Sequence, residues 1–288
     1  MVDIGIERPS CGGYKILQTL GKGGNAVVKL VEKDGKTFAM KIFEPHPAEK
    51  ADFIKVTQKE FNTVKACEMP GVVRYEEFNT DAKWYKKNGT DKDVCYLTME
   101  TINGCELIDF FNQAKAIRDE KDLRFIFMQI ADALNKLHSA GIAHRDIKPE
   151  NIMITSDFTI KIIDLGYGIN LAGRKQDGYN RTILGTDTYM APEILERKPY
   201  QGTDIDIFSF GTMLLVLSLM DYPYADASMD DHGYKTLCEK PVDFWAGYAN
   251  KGKVYSDDFK SFISLTTAPS PDLRVTMADL LGHSWMRG

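Results

Sequence analysis

The chain has 288 residues, of which 27% are charged and 43% hydrophobic, and its formal net charge is −5. This length exceeds the usual size of one domain, so two lobes with separate cores are expected. The composition is ordinary for a globular protein, and the negative charge argues against nucleic acid as a partner. The longest apolar run, residues 213–220, is too short to span a bilayer, so we expect a buried helix there and no membrane span.

The cysteines and the first residues bear on location. Five cysteines at irregular spacing, without a CxxC pair, predict reduced thiols in a cytoplasmic or nuclear protein. Residues 1–10 contain acidic side chains and no long apolar run, so no signal peptide is expected.

The first element along the chain is a glycine-rich segment at residues 20–28, between strand-like runs at 14–20 and 27–32. Glycines let backbone amides approach phosphates closely, and two strands joined by such a loop predict a lid over a nucleotide. Taken alone, the pattern fits an ordinary hairpin better.

A lysine, Lys41, follows in the otherwise apolar run 38–42. A buried ammonium group is costly without a partner, so Lys41 is expected to pair with a carboxylate and a ligand phosphate. Glu60 is the predicted partner, within a helix-like segment at 53–67. Its apolar residues recur at roughly helical spacing: Phe53, Val56, Phe61, Val64 and Cys67. The alternative is a surface charge at Glu60.

A polar, lysine-rich stretch at residues 80–93 contains the hairpin signal Asn88-Gly89. We interpret it as an exposed insertion joining two strands, and a partner-docking role is the less favoured alternative. Strand-like segments predominate up to Met99 and helical ones follow, the clearest being the amphipathic pattern at 122–138.

The segment with the most chemistry is residues 144–151, His-Arg-Asp-Ile-Lys-Pro-Glu-Asn. Asp146 can accept the proton of an attacking hydroxyl, Lys148 can neutralise phosphate charge, and Asn151 can coordinate magnesium. Asp164 follows the apolar run 160–163 and can hold the same ion. The plainer alternative for Asp164 is a strand-ending turn.

In this order and at these separations, the motifs resemble the eukaryotic protein kinase domain along nearly the whole chain. The resemblance implies an α+β, bilobal fold with the nucleotide in the cleft. A small β-rich N-lobe would comprise residues 1–101, and a larger helical C-lobe residues 102–288. ATP and Mg²⁺ are the implied cofactors. Lys148, with Gly185 and Thr186, resembles the serine/threonine type, and the C-terminal half resembles the calcium/calmodulin-dependent kinase group most.

The same resemblance implies roles for individual residues. The implied catalytic residues are Asp146, Lys148, Asn151, Lys41 and Glu60. The implied metal ligands are Asn151 and Asp164. The implied nucleotide-binding residues are Leu20, Gly21, Lys22, Gly23, Gly24, Asn25, Ala26, Val28, Ala39, Lys41, Met99, Glu100, Ile102, Glu106 and Met153.

Substrate and regulatory roles are implied as well. Glu106, Glu150 and Thr186 would contact a protein substrate with a Ser or Thr acceptor, and Glu106 would also serve the ribose. Two carboxylates at one site predict a preference for arginine three residues before the acceptor. Arg145 would bind a phosphate on Thr182, placed there by an upstream kinase. The alternative for Thr182 is an ordinary loop threonine.

Further motifs agree with the resemblance. Glu193 of the Ala-Pro-Glu motif is expected to pair with Arg274, and Asp206 opens a segment like the family's DxWSxG helix start. Three departures are Ala26 for the third loop glycine, Leu165 for the usual Phe after the magnesium ligand, and Phe208 for the usual Trp. None removes a charge, a metal ligand or a proton acceptor.

The segment 228–239 partly matches an EF-hand calcium loop. Ser228 replaces the carboxylate ligand at its first position and His232 places an imidazole at its fifth, a poor site for a hard cation, so we interpret it as a loop connecting helices. The kinase-like motifs span residues 14–286, and neither an EF-hand domain nor an autoinhibitory tail is expected.

The predicted function is therefore that of an active serine/threonine protein kinase with basic residues upstream of the acceptor. A nucleotide-binding pseudokinase scaffold is one alternative, disfavoured because Lys41, Asp146 and the metal ligands are all present. A small-molecule phosphotransferase is another, disfavoured by the intact activation segment at 164–193.

Overall fold

The structure, a computed structural model, describes residues 9–23, 26–66, 69–113, 119–165, 169–170, 178–183 and 185–288. These residues fall into two compact units. The first comprises the described parts of Met1–Glu68 and Val73–Asn103, and the second those of Met69–Val72 and Gly104–Gly288.

Six antiparallel strands of the described chain form a closed barrel in the first unit. They are β1 (Ser10–Cys11), β2 (Tyr14–Lys22), β3 (Ala26–Lys33), β4 (Lys36–Phe43), β5 (Tyr75–Tyr85) and β6 (Asp91–Met99). Their order is β1-β2-β3-β4-β6-β5, and β1 closes the barrel by pairing with both β2 and β5. Side chains alternate between the two faces of a strand. The inward ones form the core: Cys11, Tyr14, Ile16, Val31, Met40, Ile42, Ala82, Trp84, Val94 and Tyr96.

The stretch at 80–93 is not the exposed insertion that the sequence predicted. β5 and β6 occupy all of it except residues 86–90, and Ala82 and Trp84 face the barrel core at 6% and 9% exposure. Of the lysines in this stretch, Lys83 alternates with these two along β5, Lys86 and Lys87 lie in the turn, and Lys92 lies on β6. The alternation of inward and outward side chains was therefore present in the sequence, but the polar outward residues hid it.

The hairpin signal within that stretch is confirmed. The Lys86 amide donates to the Thr90 carbonyl oxygen at 2.8 Å, and the Gly89 amide donates to the Lys86 carbonyl oxygen at 3.1 Å. Gly89 has a φ of 78°, a left-handed conformation that glycine adopts without steric cost.

A helix, α1 (Lys50–Ala66), packs against β5 in the first unit. Phe61 and Val64 are buried, and the Phe61 ring stacks on the Tyr75 ring with centroids 6.2 Å apart. Val56, which shares the helical spacing, is 53% exposed. Five residues separate it from Phe61, which turns its side chain about 140° around the helix, away from β5.

The second unit is mainly helical. Its strands are β7 (Gly104–Glu106), β8 (Ile142–Ala143), β9 (Ile152–Thr155), β10 (Ile160–Ile162) and β11 (Ile169–Asn170). Its helices are α2 (Leu107–Gln113), α3 (Glu120–Ser139), α4 (Pro192–Leu195), α5 (Gly202–Leu219), α6 (His232–Glu239), α7 (Pro241–Ala249), α8 (Asp257–Thr266), α9 (Met277–Leu281) and α10 (Ser284–Arg287). The strands β10, β9 and β7 form one antiparallel sheet, and β8 pairs with β11.

The amphipathic helix predicted at 122–138 is α3. Asp119 begins it as the N-cap, accepting a hydrogen bond from the Lys121 amide at 3.2 Å. One face of the helix is buried against α5, α9 and β10. Its buried residues are Leu123, Ile126, Phe127, Ile130, Ala131, Ala133, Leu134 and Leu137.

The apolar run at 213–220 belongs to α5, a core helix that packs against α8 and α3. All 18 residues of α5 have a mean hydropathy of 1.4, so the helix is long and apolar enough to cross a membrane by length and composition alone. However, 89% of this stretch is buried within the chain. Full burial explains the apolar composition of α5 without a bilayer.

The segment at 228–239 is a loop only in its first part. Asp231 caps α6, accepting a hydrogen bond from the Tyr234 amide at 3.0 Å, and the rest of the segment is helical. Most of the EF-hand-like segment is thus a helix cap and the helix that follows it.

Candidate active site

The predicted catalytic loop, residues 144–151, lies between β8 and β9 and ends in a 3₁₀ turn, Pro149–Asn151. Arg145 has a φ of 66°, which is uncommon for a residue with a side chain. Such a conformation persists only where the surroundings hold it. Asp146 and Asn151 are 8% and 7% exposed, so their polar groups need partners within the protein.

Asp206, near the start of α5, holds the backbone of this loop. Its Oδ2 accepts a hydrogen bond from the His144 amide at 2.8 Å, and its Oδ1 accepts one from the Arg145 amide at 2.7 Å. The Nε2 of His138 lies 2.9 Å from Oδ2. Because Asp206 is fully buried, its carboxylate is tolerated only with such partners. His138 was not predicted from the sequence. There it is only one of several polar residues near the end of α3.

Three side chains contact Asp146. Asn151 Nδ2 donates to the Asp146 carboxylate at 3.0 Å and to its main-chain oxygen at 2.7 Å. Lys148 Nζ lies 3.0 Å from Asp146 Oδ2 and also donates to the Thr186 hydroxyl at 2.8 Å. The Thr186 hydroxyl donates to Asp146 Oδ1 at 3.2 Å. The structure thus brings together four of the residues that the sequence predicted for the site.

Asp164 follows β10 close to the catalytic loop. The Ile163 amide donates to the Asn151 carbonyl oxygen at 2.9 Å, and His144 Nε2 lies 3.0 Å from the Ile163 carbonyl oxygen. Asp164 is half-buried, with a φ of 57°. The two predicted metal ligands, Asn151 and Asp164, therefore lie on adjoining segments of backbone.

The chemistry of these two side chains suits a hard cation, because both can offer oxygen. The Nδ2 of Asn151 is engaged by Asp146, which leaves its side-chain carbonyl oxygen to face elsewhere. In the described part of the chain, no cluster of three or more His, Cys, Asp or Glu side chains could hold a metal alone. Mg²⁺ characteristically takes one or two protein ligands and completes its shell with phosphates and water.

Two further acidic residues lie beside the loop. Glu106 ends β7, opposite Met153 of β9. Partial burial raises the pKa of the Glu106 carboxyl, the charges of Asp109 and Glu150 raise it further, and Lys148 opposes them. The Oε2 atom of Glu150 is buried and has no hydrogen-bond partner among the described residues. A buried, unpaired carboxylate oxygen near a second carboxylate favours the binding of a cationic group.

The predicted pairing of Glu193 with Arg274 is confirmed. Two guanidinium nitrogens of Arg274 lie 2.7 and 2.8 Å from the two Glu193 carboxylate oxygens, a bidentate ion pair. The same guanidinium lies 4.9 Å from the centroid of the Phe208 ring. Phe208 therefore keeps an aromatic face against Arg274, although the family's usual residue is Trp.

The predicted regulatory residues, Arg145 and Thr182, are linked through Tyr200. Arg145 Nη1 lies 3.5 Å from the Tyr200 hydroxyl, which donates to the Thr182 carbonyl oxygen at 2.7 Å. The backbones of Tyr200 and Asn180 also pair. The sequence missed Tyr200, since nothing in its local pattern distinguishes it from other tyrosines.

In the first unit, the glycine-rich segment is a hairpin of β2 and β3, paired from Lys15 and Glu32 to Lys22 and Val27. The Gly23 amide donates to the Ala26 carbonyl oxygen at 2.9 Å. The predicted nucleotide residues fall on both strands, with Leu20, Gly21 and Lys22 on β2 and Ala26 and Val28 on β3. Gly24, Asn25, Cys67 and Gly166 lie outside the described residues.

Lys41 lies in β4 between Val28 of β3 and Leu97 of β6, and it is half-buried. Glu60 lies on α1 and accepts a hydrogen bond from the Tyr75 hydroxyl at 3.1 Å. Both residues thus belong to the first unit, and their pairing stays a prediction.

Three of the predicted nucleotide-binding residues, Met99, Glu100 and Ile102, lie where β6 ends and just after it. Met99 pairs with Ala39 of β4. The Glu100 amide donates to the Arg74 carbonyl oxygen at 3.0 Å, and the Arg74 amide donates to Glu100 Oε1 at 2.9 Å. Ile102 is half-buried in the extended segment that follows. These bonds fix Glu100 against Arg74, the residue that precedes β5.

A family model for the protein kinase domain matches residues 14–286. The chain belongs to the protein kinase domain family. The resemblance drawn from the sequence and the α+β fold, with its β-rich N-lobe and helical C-lobe, are confirmed. Membership also implies that this kinase domain uses ATP with a divalent metal.

The kinase domain is similar to longer proteins from plants and from an amoeba. It is 29% identical over 280 residues to CBL-interacting protein kinase 9 of Oryza sativa subsp. japonica, covering 96% of this chain and 57% of the relative. It is 28% identical over 285 residues to CBL-interacting serine/threonine-protein kinase 9 of Arabidopsis thaliana, covering 98% and 59%. It is 30% identical over 279 residues to "Probable serine/threonine-protein kinase MARK-A" of Dictyostelium discoideum, covering 96% and 24%. The chain thus spans less than two thirds of the length of these relatives.

Proposed function

We propose that the chain is an ATP-dependent serine/threonine protein kinase, which transfers the γ-phosphate of ATP to Ser or Thr hydroxyls of protein substrates. The observation that carries this proposal is the buried Asp146 carboxylate, contacted by Asn151, Lys148 and Thr186. The names of the rice, Arabidopsis and Dictyostelium relatives support the protein kinase activity, and two of them the serine/threonine type. The alternative, a pseudokinase scaffold, would not require this arrangement, and no comparison favours it.

Asp146 orients the substrate hydroxyl and accepts its proton as the bond to phosphorus forms. Lys148, 3.0 Å from that carboxylate, places a positive charge where negative charge develops on the transferred group. Thr186 holds the ammonium group of Lys148 through its hydroxyl. Because Asp206 fixes the loop backbone from α5, these groups are positioned before the substrate arrives.

Asn151 and Asp164 are proposed to hold Mg²⁺ through their side-chain oxygens. Bound Mg²⁺ would supply positive charge to the phosphates of ATP. The donor chemistry of both residues and the backbone bond between Ile163 and Asn151 support this assignment.

In the first unit, Lys41 and the β2–β3 hairpin are proposed to bind the phosphates of ATP, with Glu60 orienting Lys41. Met99, Glu100 and Ile102 are proposed to lie at the adenine edge. The family match across residues 14–286 supports these assignments. A cytoplasmic or nuclear location likewise stays a proposal, supported by the cysteine pattern.

The substrate is proposed to carry arginine three residues before the acceptor. The raised pKa of Glu106 and the Oε2 of Glu150, which has no hydrogen-bond partner among the described residues, support a site that takes a cationic group. A guanidinium group can bond both, because its planar fork donates to several acceptors at once. Leu217, where basophilic relatives carry the acid for a second arginine, is 2% exposed, so no preference is expected two residues before the acceptor.

The activation segment is proposed to be switched by phosphorylation of Thr182 by an upstream kinase. A phosphate there would carry close to two negative charges beside Arg145, which already reaches the Thr182 backbone through Tyr200. Charge-assisted hydrogen bonds to the guanidinium would then order the segment.

The test of the main proposal is an assay with Mg²⁺, labelled ATP and a degenerate peptide library containing Ser, Thr or Tyr acceptors. Label is expected on Ser and Thr peptides. Asp146→Asn should lower turnover by orders of magnitude while ATP still binds, because the proton acceptor is lost and the nucleotide residues remain. The matched control is Asp230→Asn, at an exposed aspartate of the second unit. Nucleotide binding without peptide labelling by the wild type would favour the pseudokinase, and near-normal turnover in Asp146→Asn would reject the role of Asp146.

A further inference from the structure

Four lysines of the first unit, Lys22, Lys29, Lys86 and Lys87, form a group that we call the lysine cluster. They come from β2, from β3 and from the turn between β5 and β6. Lys29 and Lys86 both contact Trp84, with their Nζ atoms 5.5 and 4.6 Å from the centroid of its ring. Trp84 is 9% exposed and belongs to the barrel core, so it gives both ammonium groups a fixed support.

The lysine cluster carries unbalanced positive charge. Burial lowers the pKa of Lys29, and the charges of its three cluster neighbours lower it further. Across the described ranges, none of the four ammonium groups has a carboxylate within 4.0 Å. Lys83 of the same hairpin shows the contrast, since its Nζ lies 2.8 and 3.3 Å from Asp91 and Asp93. Within the described residues, one lysine of this hairpin is therefore neutralised by carboxylates, whereas the lysine cluster has none in contact.

We propose that the lysine cluster binds a compact ligand that carries two or more phosphate groups, of the inositol polyphosphate class. A phosphate ester carries about −1.5 to −2 charges, so two or more phosphates match four ammonium groups. Lysine suits this role because its ammonium group is a compact point charge with three rotatable donors. Thr19, whose hydroxyl accepts from Lys29 at 2.7 Å, adds a neutral polar group at the same place.

The arrangement favours a small ligand over a polymer. Nucleic acid binding needs an extended basic surface, whereas two of these four lysines contact one indole and the chain as a whole is negative. A phosphorylated peptide carries its phosphates on separate side chains along a backbone. The lysine cluster concentrates its charge at one place and does not match that spacing. Free inositol polyphosphates and phosphoinositide headgroups present the same clustered phosphates, so the experiment has to separate these two sources.

The test is calorimetric titration of inositol hexakisphosphate into the full chain and into a variant with Lys29→Gln, Lys86→Gln and Lys87→Gln. The wild type should bind, and the triple variant should bind at least about tenfold more weakly, since most of the charge is lost. The matched control is Lys33→Gln, which also removes a lysine from an aromatic ring of the barrel, 4.6 Å from the Tyr14 centroid. It should bind like the wild type.

Melting, vesicle co-sedimentation and competition measurements test the proposal further. Without ligand, the triple variant should melt no lower than the wild type, because mutual repulsion is relieved, and it should lose the ligand-induced rise in Tm. Co-sedimentation with phosphoinositide vesicles would support the proposal with a lipid source, and binding of the free compound alone would support a soluble source. Equal affinity of wild type and triple variant, displacement by an ATP analogue, or tighter binding of RNA or a doubly phosphorylated peptide would overturn it. Peptide kinase activity in the same samples keeps this result separate from the proposed kinase function.

Discussion

Single residues around Asp146 show how the site can be both rigid and ready for a substrate. Lys148 and Thr186 contact the Asp146 carboxylate and each other, so each polar atom has a partner before any substrate is bound. Glu150 differs, because its buried Oε2 lacks a partner among the described residues. Leaving a buried acceptor unsatisfied costs about 1–3 kcal/mol, and a ligand that satisfies it recovers that energy. In the free protein the reacting groups thus have their hydrogen-bond partners. The Glu150 oxygen that is expected to bind a substrate side chain has none among the described residues.

The first prediction concerns that incomplete position. Peptides with arginine three residues before the acceptor should be favoured by about tenfold or more, since a charge-assisted hydrogen bond contributes on the order of 1.5–3 kcal/mol. Glu150→Ala should remove most of this preference, while Glu239→Ala, at an exposed glutamate of α6, should leave it unchanged. The measurement is kcat/KM for matched peptides with and without that arginine. An unchanged preference in Glu150→Ala would contradict the assignment.

The second prediction concerns the metal. Asp164→Asn should weaken Mg²⁺-dependent ATP binding and turnover together, because an amide is a weaker ligand for a hard cation than a carboxylate. The measurement is the Mg²⁺ dependence of ATP affinity and of initial rate. Asp157→Asn, in the exposed turn between β9 and β10, is the control and should retain both. If Asp164→Asn kept the magnesium dependence of the wild type, Asp164 would be only a turn residue.

At the scale of elements, α5 organises the second unit. Asp206 of α5 accepts hydrogen bonds from the catalytic loop, and Ser209 donates to the Tyr189 carbonyl oxygen at 2.7 Å. The main-chain oxygen of Asp204 accepts from Arg274 at 3.2 Å. One buried helix therefore contacts both the loop that carries the proposed base and the end of the activation segment. Through α5, an ordered activation segment can stabilise the catalytic loop.

The third prediction tests the activation segment. After treatment with an upstream kinase, the wild type should gain activity by about tenfold or more, as one strong charge-assisted contact to Arg145 suffices for that ratio. Thr182→Ala should not respond, and Thr37→Ala, at an exposed threonine of β4, should respond normally. Mass spectrometry of the treated wild type would show whether Thr182 is the modified residue. Equal activation of Thr182→Ala and the wild type would reject the switch.

Elements with local signals were predicted well from the sequence. α3 combines an N-cap at Asp119 with strong 3.6-residue periodicity, and the Asn88-Gly89 turn has a defined backbone requirement. β5 was misread because its outer face carries polar side chains, and helical spacing alone did not show that Val56 lies outside the covered face of α1. The contacts of Asp206 with His138 and His144 join positions 68 and 62 residues apart, and local patterns carry no information on such pairs beyond a family motif.

At the scale of the whole molecule, each unit has its own core and its own buried ionisable groups. In the first unit, burial raises the pKa of the Cys11 thiol to about 12. Burial, with the hydrogen bond to Glu77, also raises the pKa of Tyr14 to about 12. In the second unit, burial and the charge of Asp221 raise the pKa of Tyr248 to about 12. Ionisation of these buried groups at alkaline pH therefore lowers the stability of both units.

The last prediction is a loss of stability at alkaline pH. A phenol whose pKa is higher in the folded protein than its ordinary 10.0 retains its proton longer than in the unfolded chain. Between about pH 10 and pH 12 the folded state then binds more protons, so the free energy of unfolding falls as the pH rises. Urea unfolding followed by circular dichroism should give a midpoint that decreases across this range, together with late appearance of tyrosinate absorbance.

In Tyr14→Phe the midpoint should be lower at neutral pH, because the bond to Glu77 at 2.8 Å is lost, but it should decline less steeply with pH. Tyr222→Phe, at a 58% exposed tyrosine, is the control and should keep the steeper decline of the wild type. A midpoint that stays constant from pH 10 to pH 12 would show that these phenols ionise alike in the folded and unfolded chains.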